Sequence, residues 1–301
     1  MVIITGPTGV GKTELSIALA QYFNADILSA DSRQIYQGLK IGTAAPSTED
    51  LQKVKHYFIA TQNINNYYSV SQYEIEAIAI LDKIYQNKNI AFLVGGTGLY
   101  IDAVEKGIDF MPDPDMKIRA KLNDTLKNEG LEKLQNQLKE LDPQYYQKVD
   151  LKNAVRIIRA LEVCLQTGKT YSSFRKATAK HRNFKTIKIA LNINREELYQ
   201  RINKRVDNMI AQGLTEEAKL FYPYKGITAL KTVGYQELFS AFDGEITLEE
   251  AIQKIKNNSR KYARRQITWF RRDKNYHYFE PQQKTKIQEF IQSFLSEKES
   301  T

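Results

Sequence analysis

The residues GPTGVGKT at positions 6–13 match the pattern G-x-x-x-x-G-K-[ST] at every fixed position. A β-rich run, Val2 to Thr5, comes directly before them, and a segment with helical apolar spacing, Glu14 to Phe23, comes directly after. A strand, a glycine-rich loop and a helix in this order are typical of a phosphate-binding loop. We therefore predict that a phosphate group is bound by Gly6, Pro7, Thr8, Gly9, Val10, Gly11, Lys12 and Thr13.

The residue types of this loop explain how it would bind an anion. Its glycines let consecutive backbone N–H groups turn towards phosphate oxygens, and the start of the helix adds positive potential. Lys12 supplies a charge, and the Thr13 hydroxyl can bind Mg²⁺, which is the cofactor that we expect. Such a loop recognises a pyrophosphate group and not the rest of the molecule, so the compound that it binds, ATP included, stays open.

The segments on either side of the loop predict the fold class. Ile27 to Ala30 and Ile90 to Val94 are continuous apolar runs typical of buried strands, and His56 to Ala60 is a third candidate. Ser71 and Glu74 have the spacing of a capping box and predict a helix that continues to about Tyr85. Strands that alternate with helices and are apolar throughout predict an α/β fold, with a parallel sheet covered by helices on both faces.

The pattern changes after the Pro-rich segment 111–114. Residues 116–168 are helical in pattern, and the last of these helices is predicted to begin after Asn153 and to end at Gly168. Strand character returns from Thr186 to Ile193, and residues 249–274 are helical again, with Ile252, Ile255, Ala263, Ile267 and Phe270 on the buried side. We therefore predict an α/β core of residues 1–110 and 186–301, interrupted by a helical insertion domain of residues 111–185.

The charge of the chain is concentrated in its later part. Lys and Arg number 44 against 35 Asp and Glu, a formal net charge of +9, although the first 110 residues have a net charge of −3. Residues 148–188 hold 11 basic and 2 acidic side chains, and residues 254–274 hold 9 and 1. Such a surplus indicates either a polyanionic partner such as nucleic acid or an acidic membrane surface, or simply a solvated charged face.

Other features of the composition limit the class of protein. Cys164 is the single cysteine, which excludes an internal disulfide, and the three histidines form no zinc-like cluster in the sequence. No apolar run approaches the ~18 residues of a membrane span. We therefore expect a cytoplasmic protein that does not enter a membrane.

An acidic residue at a strand end is the other notable feature. An ATPase would normally place an Asp after a buried strand to help hold the metal, but the strand at 90–94 is followed by Gly95 and Gly96. Asp31 instead follows the strand at 27–30. Because strand ends face the same crevice as the phosphate loop, Asp31 is expected to reach the bound phosphate compound or its reaction partner. The alternative is a loop residue that caps nearby backbone.

Seven segments, in this order, resemble the tRNA dimethylallyltransferases, also called tRNA isopentenyltransferases. The similarity runs from residue 1 to about residue 272 and implies a P-loop NTPase-like sheet. The segments are GPTGVGKT (6–13), DSRQIY (31–36), IGTAAP (41–46), GGTGLY (95–100), RIIRALEV (156–163), VGY (233–235) and RRQITWF (264–270).

The resemblance implies a reaction and its partners. Enzymes of this family transfer the dimethylallyl group of dimethylallyl diphosphate to the exocyclic amine of the adenosine 3′ to the anticodon of tRNA. The loop would then hold a diphosphate leaving group, which accounts for the missing acid after the strand at 90–94. The residues alone also allow a nucleotide or small-molecule kinase, or a prenyltransferase that acts on free adenine nucleotides. A monomer that binds the anticodon stem-loop is expected.

By the same resemblance, the diphosphate is contacted by Thr8, Lys12, Arg205 and a Mg²⁺ ion on Thr13. Asp31 would accept the proton of the adenine amine, which is a poor nucleophile without such help. Contacts with tRNA are implied for Asp31, Ser32, Arg33, Gln34, Thr97, Arg119, Arg156 and Arg159, with a further segment at 231–235.

The basic residues also have an ordinary structural explanation. Arg156 and Arg159 lie three positions apart beside apolar residues, as in any amphipathic helix. In the tail, Arg260 and Arg264, like Lys261 and Arg265, are four apart, a spacing that lines up charge for phosphates and not for base reading. Trp269 is expected in the core.

Overall fold

The described residues of a computed structural model are 1–176 and 179–296. Within them, the strands form one parallel sheet in the order β3–β2–β4–β1–β5–β6, which confirms the predicted fold class. These strands are β1 (Val2–Thr5), β2 (Asp26–Ala30), β3 (His56–Tyr57), β4 (Ala91–Gly95), β5 (Ile187–Leu191) and β6 (His277–Phe279).

The register of the sheet brings three loops together. Thr5 at the end of β1 pairs with Gly95 at the end of β4, and Gly95 also pairs with Ala30 at the end of β2. Because the three strands are parallel and end level with one another, the residues that follow them leave the sheet at the same edge. Gly6, Asp31 and Gly96 therefore begin three neighbouring loops.

Helices surround the sheet and also form a separate group. Short 3₁₀ turns lie at Tyr222–Tyr224 and Thr228–Leu230. The α-helices of the described residues are α1 (Lys12–Tyr22), α2 (Thr48–Lys53), α3 (Val70–Ile84), α4 (Gly98–Lys106), α5 (Met116–Glu129), α6 (Leu131–Leu141), α7 (Pro143–Tyr146), α8 (Ala154–Thr167), α9 (Tyr171–Phe174), α10 (Arg195–Ala211), α11 (Leu214–Phe221), α12 (Tyr235–Phe242), α13 (Leu248–Phe270) and α14 (Lys284–Ser296).

Each face of the sheet has its own apolar core. Successive β1 side chains alternate between the faces, so that Ile3 packs in one core, and Val2 and Ile4 pack in the other. The core around Ile3 includes residues of α3, α4, α12 and α13, and the other includes residues of α1 and α14. Helix α10 contributes to both cores, with Val206 in the first and Ile202 in the second. Both faces are therefore buried, as unalternating apolar strands require.

Contacts divide the chain into two units. The first contains residues 1–105 and the chain from Arg182 on, and the second is Lys106–His181. The second unit has a core of its own, in which Leu134 and Leu138 of α6 pack with Ile157 and Leu161 of α8. Most of the segment predicted as a helical insertion, residues 111–185, falls in this second unit.

Arg182 fixes the point where the chain returns to the first unit. Its guanidinium donates hydrogen bonds to the carbonyls of Ala103 and Val104 in α4, at 2.8 and 2.9 Å. It also donates to buried Glu74 at 2.7 Å. Arg182 therefore satisfies carbonyls near the end of α4 and a buried carboxylate at once.

Two local predictions were wrong. The third strand covers only His56 and Tyr57, because Phe58 and Ala60 have φ angles of 65° and 51° and cannot continue an extended strand. Helix α3 begins after Ser69 and not at Ser71. The Ser69 side chain caps it by accepting a hydrogen bond from the backbone N–H of Gln72. The Glu74 carboxylate accepts a hydrogen bond from Arg182.

Other local predictions are confirmed. Asn153 caps α8 by accepting from the N–H of Arg156, and Gly168 ends that helix with a φ of 67°. In α13, Ile255, Ala263 and Phe270 are buried as predicted. None of the helices in the described part of the chain is long and apolar enough to span a membrane.

Candidate active site

The phosphate-binding loop connects β1 to α1 and is closed on itself by Lys12. Gly6, Gly9 and Gly11 all have positive φ angles, which gives the loop its repeated turns. The Lys12 Nζ donates to the carbonyls of Gly6 and Pro7, both at 2.9 Å. The lysine that was predicted to meet a phosphate therefore lies inside the curve of the loop.

Lys12 is in an environment that disfavours its charge. Burial and the positive charge of Arg205 lower the pKa of Lys12 from 10.5 to about 7, although the negative charge of Asp31 acts in the opposite direction. An anion bound in the loop would reverse this balance by favouring the protonated amine. The loop thus has the electrostatics of a site that is completed by a negatively charged ligand.

Asp31 lies immediately after β2, as the sequence predicted. Its Oδ1 accepts from the backbone N–H groups of Arg33 at 2.8 Å and Gln34 at 3.3 Å. Oδ2 takes no hydrogen bond from the described part of the chain. One oxygen therefore fixes the carboxylate in a tight turn, and the other is left for a ligand.

Arg205 and Asp31 are brought together from distant parts of the sequence. Arg205 projects from α10, and burial lowers the pKa of its guanidinium while the charge of Asp31 opposes that effect. Asp31 and Arg205 line the same two cavities. The cation and the carboxylate predicted for the site thus share one location.

The larger of these two cavities has a volume of about 510 Å³ and is lined by the phosphate-binding loop, so we call it the phosphate cavity. Thr13 is exposed on its wall, together with Thr8 and Lys12. Helix α10 adds Arg201, Lys204 and Asn208, which belong to none of the motifs recognised in the sequence. With Arg205 they follow the i, i+3, i+4, i+7 spacing of a single helix face, and this spacing is the signal that could have found them.

The second cavity, of about 330 Å³, meets the first at Thr8, Asp31, Arg205 and Tyr262. Its wall is polar and basic, with Arg33, Lys231, Gln236 and Arg265. Two cavities that share a carboxylate and an arginine can hold two different molecules whose reacting groups meet at Asp31.

Helix α13 joins the two sides of the site through Gln266. Its Oε1 accepts from the Thr8 N–H at 2.8 Å, and its Nε2 donates to the Gly96 carbonyl at 3.0 Å. A Cβ on Gly96 would lie 2.1 Å from that Nε2, so a larger residue at this position would displace the Gln266 carboxamide. Gln266 lies in the RRQITWF segment, but its residue type alone does not indicate this role.

Tyr262, one turn earlier on α13, stands beside the carboxylate. Burial is the main cause that raises its pKa to about 12, and the charge of Asp31 adds to it. The side chain of Thr97, which is nearby, acts on this pKa in the opposite direction. Further along the helix, Trp269 is half-buried and packs against Gly98, close to the core position expected.

The predicted tRNA contacts near Asp31 have partners within the chain. Thr97 Oγ1 accepts from the Ser32 N–H at 3.1 Å, which places both beside the turn of Asp31. The Arg33 guanidinium donates to the carbonyls of Thr228, Ala229 and Lys231. The Gln34 Nε2 donates to the carbonyls of Thr43 and Ala44 at 3.3 and 3.1 Å. Arg33 and Gln34 therefore hold the walls of the cavities in place.

In the helical unit, two of the predicted tRNA contacts share one buried acid. Arg119 binds both carboxylate oxygens of Glu162, with one distance of 2.8 Å, and Arg159 donates to the same carboxylate at 3.2 Å. Glu162 is fully buried. Arg156 is exposed instead. Of the three arginines, Arg156 is the one whose side chain is presented to solvent.

The basic face of α13 consists of Lys261, Arg264 and Arg265, which are all exposed. Arg260 differs from them, because its guanidinium donates to the side chains of Asn203 at 2.6 Å and of Asn257. Arg265 also lines the smaller cavity. Lys261 and Arg264 are next in sequence to Tyr262 and Arg265, which line that cavity, so the basic face adjoins it.

Comparisons with known proteins place the chain among tRNA-modifying transferases. A family model described as IPP transferase matches residues 34–273. A tRNA dimethylallyltransferase 1 of Phocaeicola vulgatus is 53% identical over 293 residues, 97% of this chain and 98% of that protein. A tRNA dimethylallyltransferase 1 of Bacteroides fragilis is 49% identical over 295 residues, 98% of each chain.

Solved structures give the same result. The full-length tRNA isopentenylpyrophosphate transferase of Bacillus halodurans matches with a TM-score of 0.73 and 35% identity, over 99% of this chain and 97% of that one. A eukaryotic dimethylallyltransferase acting on tRNA matches with a TM-score of 0.71 and 28% identity, over 89% and 69%.

Proposed function

Because this chain belongs to the IPP transferase family, we propose that it transfers the dimethylallyl group of dimethylallyl diphosphate to tRNA. The acceptor is the exocyclic amine of the adenosine 3′ to the anticodon, and diphosphate is released. The observation that carries this proposal is the meeting of a phosphate-binding loop and a polar, basic cavity at Asp31 and Arg205. Relatives that match nearly the whole chain are named tRNA dimethylallyltransferase, which favours this function over a kinase or an enzyme of free nucleotides.

In this reaction, the bond between carbon 1 of the allyl group and the diphosphate oxygen breaks as the amine nitrogen bonds to that carbon. Negative charge grows on the leaving diphosphate. The Lys12 ammonium, the Arg205 guanidinium and the loop N–H groups stabilise it in this scheme, and Lys12 and Arg205 both line the phosphate cavity. Arg201 and Lys204 add positive charge on the same wall.

Asp31 serves as the base. The amine must lose a proton as its nitrogen becomes bonded to carbon, and a carboxylate oxygen within hydrogen-bond reach can accept it. The turn holds Oδ1 against two backbone N–H groups, which leaves Oδ2 for this task. Thr8, Arg205 and Tyr262 surround the same point, so the proton is accepted where the two cavities meet.

Thr13 would hold Mg²⁺ together with the diphosphate oxygens. Mg²⁺ usually takes one or two oxygen ligands from the protein and the rest from substrate phosphates and water. An exposed hydroxyl on the wall of the phosphate cavity fits that requirement. When bound, the ion neutralises charge on the leaving group.

The RNA lies on the other side of Asp31. The target base is turned out of the anticodon loop into the smaller cavity, at a cost of about a few kcal/mol that contacts with the pocket offset. The basic face of α13 binds the neighbouring phosphates. We propose that the protein acts as a monomer in the cytoplasm, where its tRNA substrate is found.

A transfer assay tests the proposal. The protein is incubated with labelled dimethylallyl diphosphate, Mg²⁺ and unmodified tRNA that has adenosine 3′ to the anticodon. The RNA is expected to become labelled, and a matched tRNA with guanosine at that position is expected to stay unlabelled. Transfer to AMP in preference to tRNA, or no transfer to any such tRNA, would contradict it.

A further inference from the structure

Glu217 lies in α11, is buried, and lines neither of the two cavities that meet at Asp31. Its carboxylate nevertheless collects four hydrogen bonds. Oε2 accepts from the backbone N–H groups of Lys40 at 3.0 Å and Ile41 at 2.8 Å. Oε1 accepts from the N–H of Gly42 at 2.9 Å and from the hydroxyl of Tyr235 at 2.6 Å. Three consecutive amides thus converge on one carboxylate.

Tyr235 is the second half of this arrangement. It is fully buried at the start of α12, and burial, strengthened by the charge of Glu217, raises the pKa of its hydroxyl far above the usual value. The hydroxyl therefore stays protonated and donates. A Cβ on Gly42 would lie 2.6 Å from the Tyr235 ring, so only glycine allows the loop to approach. The IGTAAP and VGY segments therefore meet, because Gly42 of the first packs against Tyr235 of the second.

The contact holds two walls of the smaller cavity. Gly42 and Thr43 form part of one wall, and residues 231–234 form part of another. The first wall is connected onward to the base, because Gln34 donates to the carbonyl of Thr43 and its own N–H is bonded to Asp31. Three hydrogen bonds, through the Gly42–Thr43 segment and Gln34, therefore link Glu217 to the carboxylate that faces the substrate, and Glu217 touches no substrate itself.

We propose that Glu217 is a positioning residue that sets the width of the cavity for the target nucleotide. The inference rests on the proposed function, since it assigns that cavity to the tRNA base. The phosphate loop is held by other contacts, those of Lys12 and Gln266, so its affinity for diphosphate does not depend on Glu217. The effect of Glu217 falls on one substrate.

The test is the variant Glu217→Gln in steady-state transfer assays. A carboxamide replaces one oxygen by an NH₂ group, which must then face two donors. We expect the KM for tRNA to rise at least about tenfold and the KM for dimethylallyl diphosphate to change by less than about twofold. Glu216→Gln is the matched control, because Glu216 is the adjacent, exposed acid, and it is expected to behave as the wild type.

Tyr235→Phe keeps the ring and removes a single donor, so it tests the proposal even where Glu217→Gln does not fold. We expect its KM for tRNA to rise about two- to fivefold, and the double variant to be less than additive. A fall in kcat with both KM values unchanged would mean only a loss of folded protein and would overturn the proposal. A wild-type protein without transfer activity would instead contradict the proposed function.

Discussion

Gln266 and Thr8 are 258 residues apart in the chain, yet the Gln266 Oε1 accepts a 2.8 Å hydrogen bond from the Thr8 N–H. The same carboxamide donates to Gly96, so one side chain of α13 joins the phosphate loop to the loop after β4. The conformation of the phosphate loop is thereby fixed from outside the strand–loop–helix motif.

Gln266→Glu tests that contact. The new carboxylate keeps an acceptor for Thr8 but sets a negative oxygen against the Gly96 carbonyl and near the bound diphosphate. We expect the affinity for inorganic diphosphate, measured by calorimetry, to fall at least about tenfold. Gln253→Glu places the same charge on an exposed position of α13 and should have little effect. Equal affinities in the two variants would show that the tie to Thr8 is dispensable.

Asp31→Asn removes the base while retaining an oxygen for the N–H groups of Arg33 and Gln34. We expect kcat to fall by about 10² to 10⁴, the range for loss of general-base catalysis. The tRNA dissociation constant, measured by filter binding, should stay within about threefold, because affinity is spread over many phosphate contacts. A near-normal rate would assign the proton transfer to another group.

The lowered pKa of Lys12 predicts a pH dependence of diphosphate binding. Lys12 of the free protein is charged below about pH 7 and neutral above it. Because the anion favours the charged form, binding at pH 8 requires proton uptake, and affinity should fall by up to about tenfold per pH unit above 7. Calorimetry in two buffers of different ionisation enthalpy measures the uptake.

In the same experiment, Lys12→Met corrects for the titration of diphosphate itself. This variant should bind weakly and without the extra proton. If the two proteins took up equal numbers of protons, Lys12 would not be the group that titrates.

The basic face of α13 is expected to bind tRNA phosphates. Changing Lys261, Arg264 and Arg265 together to Gln should weaken tRNA binding and reduce the slope of log K against log salt by up to about 2 to 3. The control replaces the exposed Lys219, Lys284 and Lys286, which lie on other helices, and so matches the change in net charge. An identical salt slope in the two triple variants would exclude this face as the phosphate contact.

Arg159 is expected to affect the stability of the protein, and Arg156 its binding of tRNA. Arg159→Gln removes a partner of buried Glu162 and should lower the free energy of unfolding by about 1–3 kcal/mol, measured by urea denaturation. Arg156→Gln should leave stability within about 0.5 kcal/mol, because its side chain is exposed. It should weaken tRNA binding instead. The reverse pattern would contradict the assignment.

The features that could be predicted from the sequence are local ones. The phosphate loop, its strand and helix, and Asp31 at a strand end all lie within the first 31 residues, where spacing and residue type carry the signal. Asn153 and Gly168 were likewise visible as helix ends, because a cap depends on neighbouring residues only.

What could not be predicted depends on contacts between distant segments. Gln266 and Glu217 look like ordinary polar residues of amphipathic helices until the sheet brings their partners near. Ser71 matches a capping box as well as Ser69 does, but in the fold Ser69 caps the helix, and Glu74 binds Arg182, which is 108 residues away in the chain. The short third strand ended because of backbone angles at Phe58 and Ala60 that residue types do not reveal.

The hydrogen bonds of Arg182 hold the two ends of the inserted segment together. The chain leaves the sheet-containing unit after Glu105 and re-enters it at Arg182, whose guanidinium is bonded to the last turns of the outgoing helix. The points where the chain leaves and re-enters this unit are therefore adjacent, as in domains that tolerate the insertion of another domain in a surface loop. The 76-residue helical segment between them could be lengthened, shortened or exchanged during evolution without altering the register of the host sheet.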